Sequence, residues 1–403
     1  MTDGRPFLPY GRHHIDDDDI AAVVNVLRGE WLTTGPLVDK FERAVAEQVG
    51  ARHAVACSNG STALHLAALG AGIGEGQIAV VPAVTFLATA SAVLHTGADV
   101  MFADVDPDTA LLRAEDLERA VATARERFPG SRVTCVLPVH MGGRSADMPV
   151  IAGVAEKHGL SVIEDAAHAI GTATPDGQVG DCRHSVATTF SFHPVKTATT
   201  AEGGAVTTND DAVACRMSRL RNHGINRDAS SFTNKRAAFE NGQRNPWYYE
   251  VAEAGFNFRL SDLQCALGIS QLSRLAQAMA HRRRIRDRYE TRFAEIDGVT
   301  MTADGPADET SWHLAVALIE FDRFGRSRGD VMRGLAADGI GTQVHYIPLY
   351  RQPLFENRHG PVRLDGAEQY YARSLSIPLH QNMSTDDADR VVDRLMHHLG
   401  VVQ

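Results

Sequence analysis

The 403-residue chain is 44% hydrophobic, with 40 basic and 50 acidic side chains, which suits a large α/β core with a smaller companion. Its formal net charge of -10 is scattered, so it has no basic stripe to track a phosphate backbone, and nucleic acid is not expected as a partner. The five cysteines Cys57, Cys135, Cys182, Cys215 and Cys265 are far apart without a C-x-x-C pair, which predicts buried free thiols and no metal site. No apolar span reaches membrane length, and Met1 to Asp19 hold no apolar signal core, so the expected location is the cytoplasm, with no membrane partner.

The chain opens on a helical pattern from Ile20 to Gly50, interrupted at Gly29 to Pro36 because Gly35-Pro36 cannot continue a helix. Short apolar runs then alternate with helical stretches: 53–57, 78–81, 100–103, 133–137, 160–163 and 186–190, followed by a strand at 203–208. This alternation predicts crossover units and a mainly parallel sheet. Arg221 to Glu253 is polar and poorly periodic, a long loop of the kind that tends to carry function. Ser261 caps a helix that the pattern carries through Leu267, Leu272 and Leu275 into a basic face at His281 to Arg288. Beyond Gly298, alternating segments at 313–319 and 341–347 predict strands of a smaller α+β domain. The expected division is 1–35 for an N-terminal arm and entry helix, 36–260 for the large domain, and 261–403 for the linking helix and small domain.

Three stretches carry chemistry. Cys57 to Leu64 runs from a strand end through Asn59-Gly60-Ser61-Thr62 into a helix, whose free N–H groups can cradle a phosphate; a plain Ser/Thr cap is the commoner use of such a turn. Ser161 to Gly171 ends an apolar strand with Glu164-Asp165, at the sheet edge where α/β folds place ligands. The plain reading of the pair is a helix cap by Asp165 or a surface pair, and for Glu164 that reading is preferred. Asp165 can hold a protonated pyridine nitrogen, the arrangement that makes pyridoxal phosphate an electron sink. Thr189 to Gly204 sets Lys196 among hydroxyls and small residues, where a desolvated amine becomes a nucleophile, although most turn lysines are simply solvated.

In this order the stretches resemble the DegT/DnrJ/EryC1/StrS sugar aminotransferase family, among the fold type I pyridoxal-phosphate enzymes. The resemblance rests on Asn59 to Leu64, Pro82 to Ala90, Glu164 to His168, the Lys196 turn and Gly255 to Ser261, and covers nearly the whole chain. It implies a large domain with a mainly parallel seven-stranded mixed sheet plus a smaller C-terminal α+β domain. It further implies that Lys196 binds pyridoxal 5'-phosphate covalently, that Gly60, Ser61 and Ser191 hold its phosphate, that Phe86 stacks on its ring and that Asp165 pairs with its nitrogen. His168 stands where the family most often has glutamine, and its imidazole can donate to the 3' oxygen. Asn257 resembles the residue given to the phosphate of the neighbouring subunit, which implies a homodimer with shared active sites.

The segments 190–209 and 341–350 are most similar to the subgroup that aminates C4 in pseudaminic acid biosynthesis. That resemblance implies L-glutamate as donor and UDP-4-keto-6-deoxy-N-acetyl-β-L-altrosamine as the nucleotide-sugar acceptor, while other UDP or dTDP keto sugars stay open. Thr33, Thr34, His193, Arg259, His345 and Tyr346 are the candidate substrate contacts, with Trp31 beside the first two. Lys196 argues against a dehydratase of the same family, in which histidine replaces the lysine. The intact lysine, aspartate and phosphate turn argue against a non-catalytic regulator, and the absence of a Gly-rich fingerprint argues against a Rossmann dehydrogenase.

Overall fold

Strand-forming runs that are buried along almost their whole length build the centre of the protein, a computed structural model that describes residues 6–305, 307 and 309–401. Residues 1–5 of the expected arm, positions 306 and 308, and the last two residues of the expected C-terminal segment lie outside the described residues. The strands are β1 (His53–Cys57), β2 (Gln77–Pro82), β3 (Asp99–Ala103), β4 (Arg132–Val136), β5 (Ser161–Asp165), β6 (Ala187–Ser191) and β7 (Gly204–Thr208). They form one seven-stranded sheet in the order β1-β7-β6-β5-β4-β2-β3. Every pairing is parallel except those of β7, which runs antiparallel to both β1 and β6. All five residues of β6 and of β7 are buried, as expected for strands covered on both faces.

The helices follow from local sequence. An Asn59/Thr62 capping box starts the helix Gly60–Gly70. Pro36 at the first turn and Gly50 in the left-handed region bound Pro36–Val49, where the interruption at 29–36 predicted a new start. A second core packs around the antiparallel sheet β8 (Val299–Met301), β9 (Ala315–Ile319) and β10 (Ser374–Ile377), with the helix Thr385–Leu399 laid over it.

The structure departs from the sequence expectations in several places. The capped helix ends at Ser273 and a second one, Leu275–Phe293, starts after Arg274, whose φ of -115° and ψ of 14° are not helical. The Arg274 guanidinium pairs with Asp16 and with Asp19 of the entry helix Asp17–Leu27, and that anchor sits at the bend. Segment 341–347 is not a strand. Only Gln343 bridges to Ser376, after which the chain turns His345 and Tyr346 into a cavity, so the alternating pattern served two walls rather than a ladder. Strand β10 carries no continuous apolar run to predict it, because its buried positions include Ser374 and Ser376. The long loop holds short elements, including the strand pair Ile225–Asn226 with Glu250–Val251. Cys215 is exposed, unlike the other four free thiols, because it lies on the outer face of the helix Asp211–Arg221. No described helix is long and apolar enough to cross a membrane.

Candidate active site

The carboxyl edge of the large sheet gathers the site. Ser58 to Ser61 follow β1, Thr85 and Phe86 follow β2, Asp165 closes β5 and Ser191 closes β6. Of the residues singled out from sequence, Gly60, Ser61, Phe86, Asp165, His168, Ser191, His193, Lys196, His345 and Tyr346 line one cavity of about 630 Å³. Thr33, Thr34, Asn257 and Arg259 do not line it. Thr33 bridges to Ser261 and the Thr34 hydroxyl donates to Thr33 O at 2.7 Å, while Arg259 donates to Asn222 Oδ1 at 2.6 Å. Asn257 is exposed and bridges to Asn222.

At the phosphate-type turn, Asn59 Oδ1 accepts the Thr62 N–H at 2.9 Å and the Asn59 N–H donates to Thr62 Oγ1 at 3.1 Å. The capping box leaves the first-turn N–H groups of Gly60 and Ser61 for a ligand, at the positive end of the helix. Gly60 is required there, since a Cβ would stand 2.8 Å from Ser191 Cβ. Gly60→Val is therefore expected to weaken pyridoxal-phosphate affinity roughly ten- to a hundredfold, from a packing cost of about 1–3 kcal/mol. An absorption-monitored cofactor titration measures this, and unchanged affinity in a folded variant refutes it.

Asp165 is buried and its carboxylate is fully directed: Oδ2 accepts from Thr89 Oγ1 at 2.7 Å and Oδ1 from the Ala167 N–H at 3.1 Å. Thr85 and Thr89 hydroxyls stand 2.8 Å apart behind it. Lys196 closes a turn in which its N–H donates to His193 O at 2.9 Å, while Thr199 Oγ1 and the Thr200 N–H both bond Phe192 O. The residue is half-buried, but its amine is enclosed by protein. Burial lowers its pKa to about 8 against the opposing pull of Asp165.

His168 accepts the Gly142 N–H on Nδ1 at 3.2 Å, so its proton lies on Nε2, 3.5 Å from the Tyr346 hydroxyl. Burial, then the charges of Lys196, His345 and Arg144, hold its pKa well below the ordinary value, so the ring is neutral and a donor. Burial and then Lys196 push His345 down to about 3, and its Nδ1 lies 2.7 Å from Ser376 Oγ. Tyr346 is raised by burial and then by Asp165, and its ring stands 5.9 Å from that of Phe86.

Glu164 is neither a helix cap nor a surface pair. It points away from the cavity into a buried network, accepting from His140 Nε2 at 2.8 Å and Thr188 Oγ1 at 3.0 Å. The strand continues through Glu164 and Asp165, so pleating sends the two carboxylates to opposite faces.

Sequence reading missed Thr89, Tyr10, Glu202, Gln343 and His313. Thr89 was signalled by the Thr85/Thr89 spacing at a helix start. His313, whose ring lies 4.5 Å from that of His168, gave no local signal.

A phosphate cradle that admits no side chain at Gly60, a buried carboxylate and a desolvated amine in one cavity fit pyridoxal phosphate in its phosphate, nitrogen and aldehyde. With the antiparallel seventh strand, they define a pyridoxal-phosphate enzyme of the α/β class. The family model described as the DegT/DnrJ/EryC1/StrS aminotransferase family matches residues 13–396, and the chain belongs to that family. It is a sugar aminotransferase that uses pyridoxal 5'-phosphate. It is 38% identical over 394 residues, 96% of each chain, to the spore coat polysaccharide biosynthesis protein SpsC of Bacillus subtilis (strain 168). Among solved structures it is similar to Helicobacter pylori PseC, an aminotransferase involved in pseudaminic acid biosynthesis. The TM-score is 0.86 at 27% identity, covering 98% of this chain and 100% of that one. Spr1654 of Streptococcus pneumoniae in its PLP form gives 0.85 at 25% identity, with the same coverage.

Proposed function

We propose that the protein transfers the amino group of L-glutamate to C4 of a 4-keto nucleotide sugar, with UDP-4-keto-6-deoxy-N-acetyl-β-L-altrosamine as acceptor. The observation that carries the reaction is Lys196, an enclosed amine with its pKa near 8 in the same cavity as Asp165. Likeness to PseC over 98% of the chain, together with the 190–209 and 341–350 segments, supports the particular sugar.

Bound pyridoxal phosphate supplies the electron sink that makes the α-carbon of the amino donor acidic. Gly60, Ser61 and Ser191 hold its phosphate, Phe86 covers its ring, and Asp165 keeps its nitrogen protonated. His168 donates from Nε2 to its 3' oxygen. Once freed, Lys196 Nζ takes a proton from the donor carbon in the first half-reaction and returns one to C4 of the sugar in the second, a general base held in place by its turn. Asn257 serves the cavity of a second copy, which accounts for its lying outside its own. Thr33, Thr34 and Arg259 reach substrate in the same shared arrangement, and His193, His345 and Tyr346 reach it within one chain. The functional division is a large cofactor domain over 36–260, with the arm before it and the small domain after it.

A second reading is favoured by the 38% identity to a spore coat polysaccharide protein: the acceptor is another nucleotide-linked keto sugar of a surface polysaccharide. Both are tested by incubating the cofactor-loaded protein and glutamate with a panel of UDP and dTDP 4-keto sugars. Amine formation from the altrosamine derivative is the expected result. Amine formation only from dTDP sugars refutes the first reading in favour of the second.

A further inference from the structure

We propose that Tyr10 is a specificity-determining residue that reads the acceptor sugar through its hydroxyl. The arm that carries it is clipped to the second core by backbone bonds. Leu8 N–H donates to Gly339 O and Gly341 N–H to Leu8 O, both at 2.8 Å, and Leu379 N–H donates to Tyr10 O at 2.9 Å. A Cβ on Gly11 would lie 3.3 Å from Val195 Cβ, so the arm also abuts the turn next to Lys196. These contacts fix Tyr10 in the cavity wall, with its ring 5.4 Å from that of His345 at 55°. His345 is in turn pinned to Ser376 of β10.

The ring is thus held against His345 by a fixed backbone, while the hydroxyl has no hydrogen-bond partner among the described residues. Burial raises its pKa, so it stays a neutral donor. Tyr10 lines the cavity beside His345 and is distinct from Gly60, Ser61, Ser191, Phe86 and Asp165, the residues assigned to the cofactor. A sugar with ring hydroxyls and an anomeric diphosphate offers many oxygens to a free phenol hydroxyl, whereas the carboxylates of an amino-acid donor call for a charged partner. A phenol held edge-on to a cavity suits such an oxygen-rich rim.

The inference rests on the nucleotide-linked keto sugar reading for its probe. Tyr10→Phe and Tyr10→Ala are compared with wild type in the two half-reactions separately. The glutamate half-reaction is followed by loss of the visible cofactor band, and the second by amine formation from each keto sugar of the panel. Expected results are wild-type cofactor affinity and an unchanged glutamate half-reaction in both variants. The acceptor KM rises about three- to tenfold in Tyr10→Phe, for one lost hydrogen bond, and more in Tyr10→Ala. An unchanged acceptor KM in Tyr10→Phe, or equal losses in both half-reactions, overturns the proposal. If wild type turns over only dTDP sugars, the UDP assignment falls while Tyr10 is judged on that acceptor. A panel with no acceptor at all overturns both.

Discussion

Lys196→Ala protein loaded with pyridoxal phosphate lacks the visible absorption band that borohydride bleaches in wild type, and its turnover falls by about 10²–10⁴-fold from lost proton transfer alone. The band requires a covalent link to the enclosed amine, and among the described residues no second lysine lines the cavity. The pH dependence follows from the same burial. The free amine is the nucleophile and its pKa is lowered to about 8, so capture of the cofactor by cofactor-free protein speeds up as pH rises through about 8 and levels off above. Stopped-flow absorption reads this, and a profile that is flat through that pH overturns the assignment. A bleachable band that persists in Lys196→Ala overturns it as well.

Asp165→Asn separates charge from shape. The amide keeps the volume and can still accept from Thr89, but it cannot hold a pyridine nitrogen in its protonated form. Turnover is expected to fall about 10²–10³-fold, the scale of losing one preorganised electrostatic contact, with the band at Lys196 retained. Single-turnover kinetics with glutamate measure it. A variant with near wild-type rates would show that the carboxylate is structural, held by Thr89 and the Ala167 N–H only to cap the end of β5.

Much of this site was visible along the chain because its parts lie at strand ends and helix starts, where local sequence dictates backbone shape. The Asn59 to Thr62 turn, the end of β5 and the Lys196 turn are each contiguous, and the alternation of apolar runs announces the sheet that aligns them. The errors share a cause as well. Glu164 departs from the sequence expectation because adjacent residues on a strand face opposite ways, and β5 runs on through Glu164 to Asp165. Segment 341–347 differs from its expected strand because alternation records which faces are covered, not whether a ladder or a cavity covers them.

The antiparallel return of β7, the break at Arg274 and the gathering of Tyr10, His313 and His345 around Lys196 belong to tertiary structure alone. They depend on contacts between residues far apart in the chain, such as His53 with Thr208 and Asp16 with Arg274, and a chain pattern with a period of a few residues carries no record of them. Sequence by itself pointed to the family and singled out Lys196, Asp165 and the Asn59 to Thr62 turn as its candidate site, since each is a local arrangement of chemistry and backbone. Tertiary packing decided how that chemistry is tuned. The amine of Lys196 has its pKa near 8 because folding strips its water, which outweighs the upward pull of nearby Asp165, and desolvation is a property of the folded core.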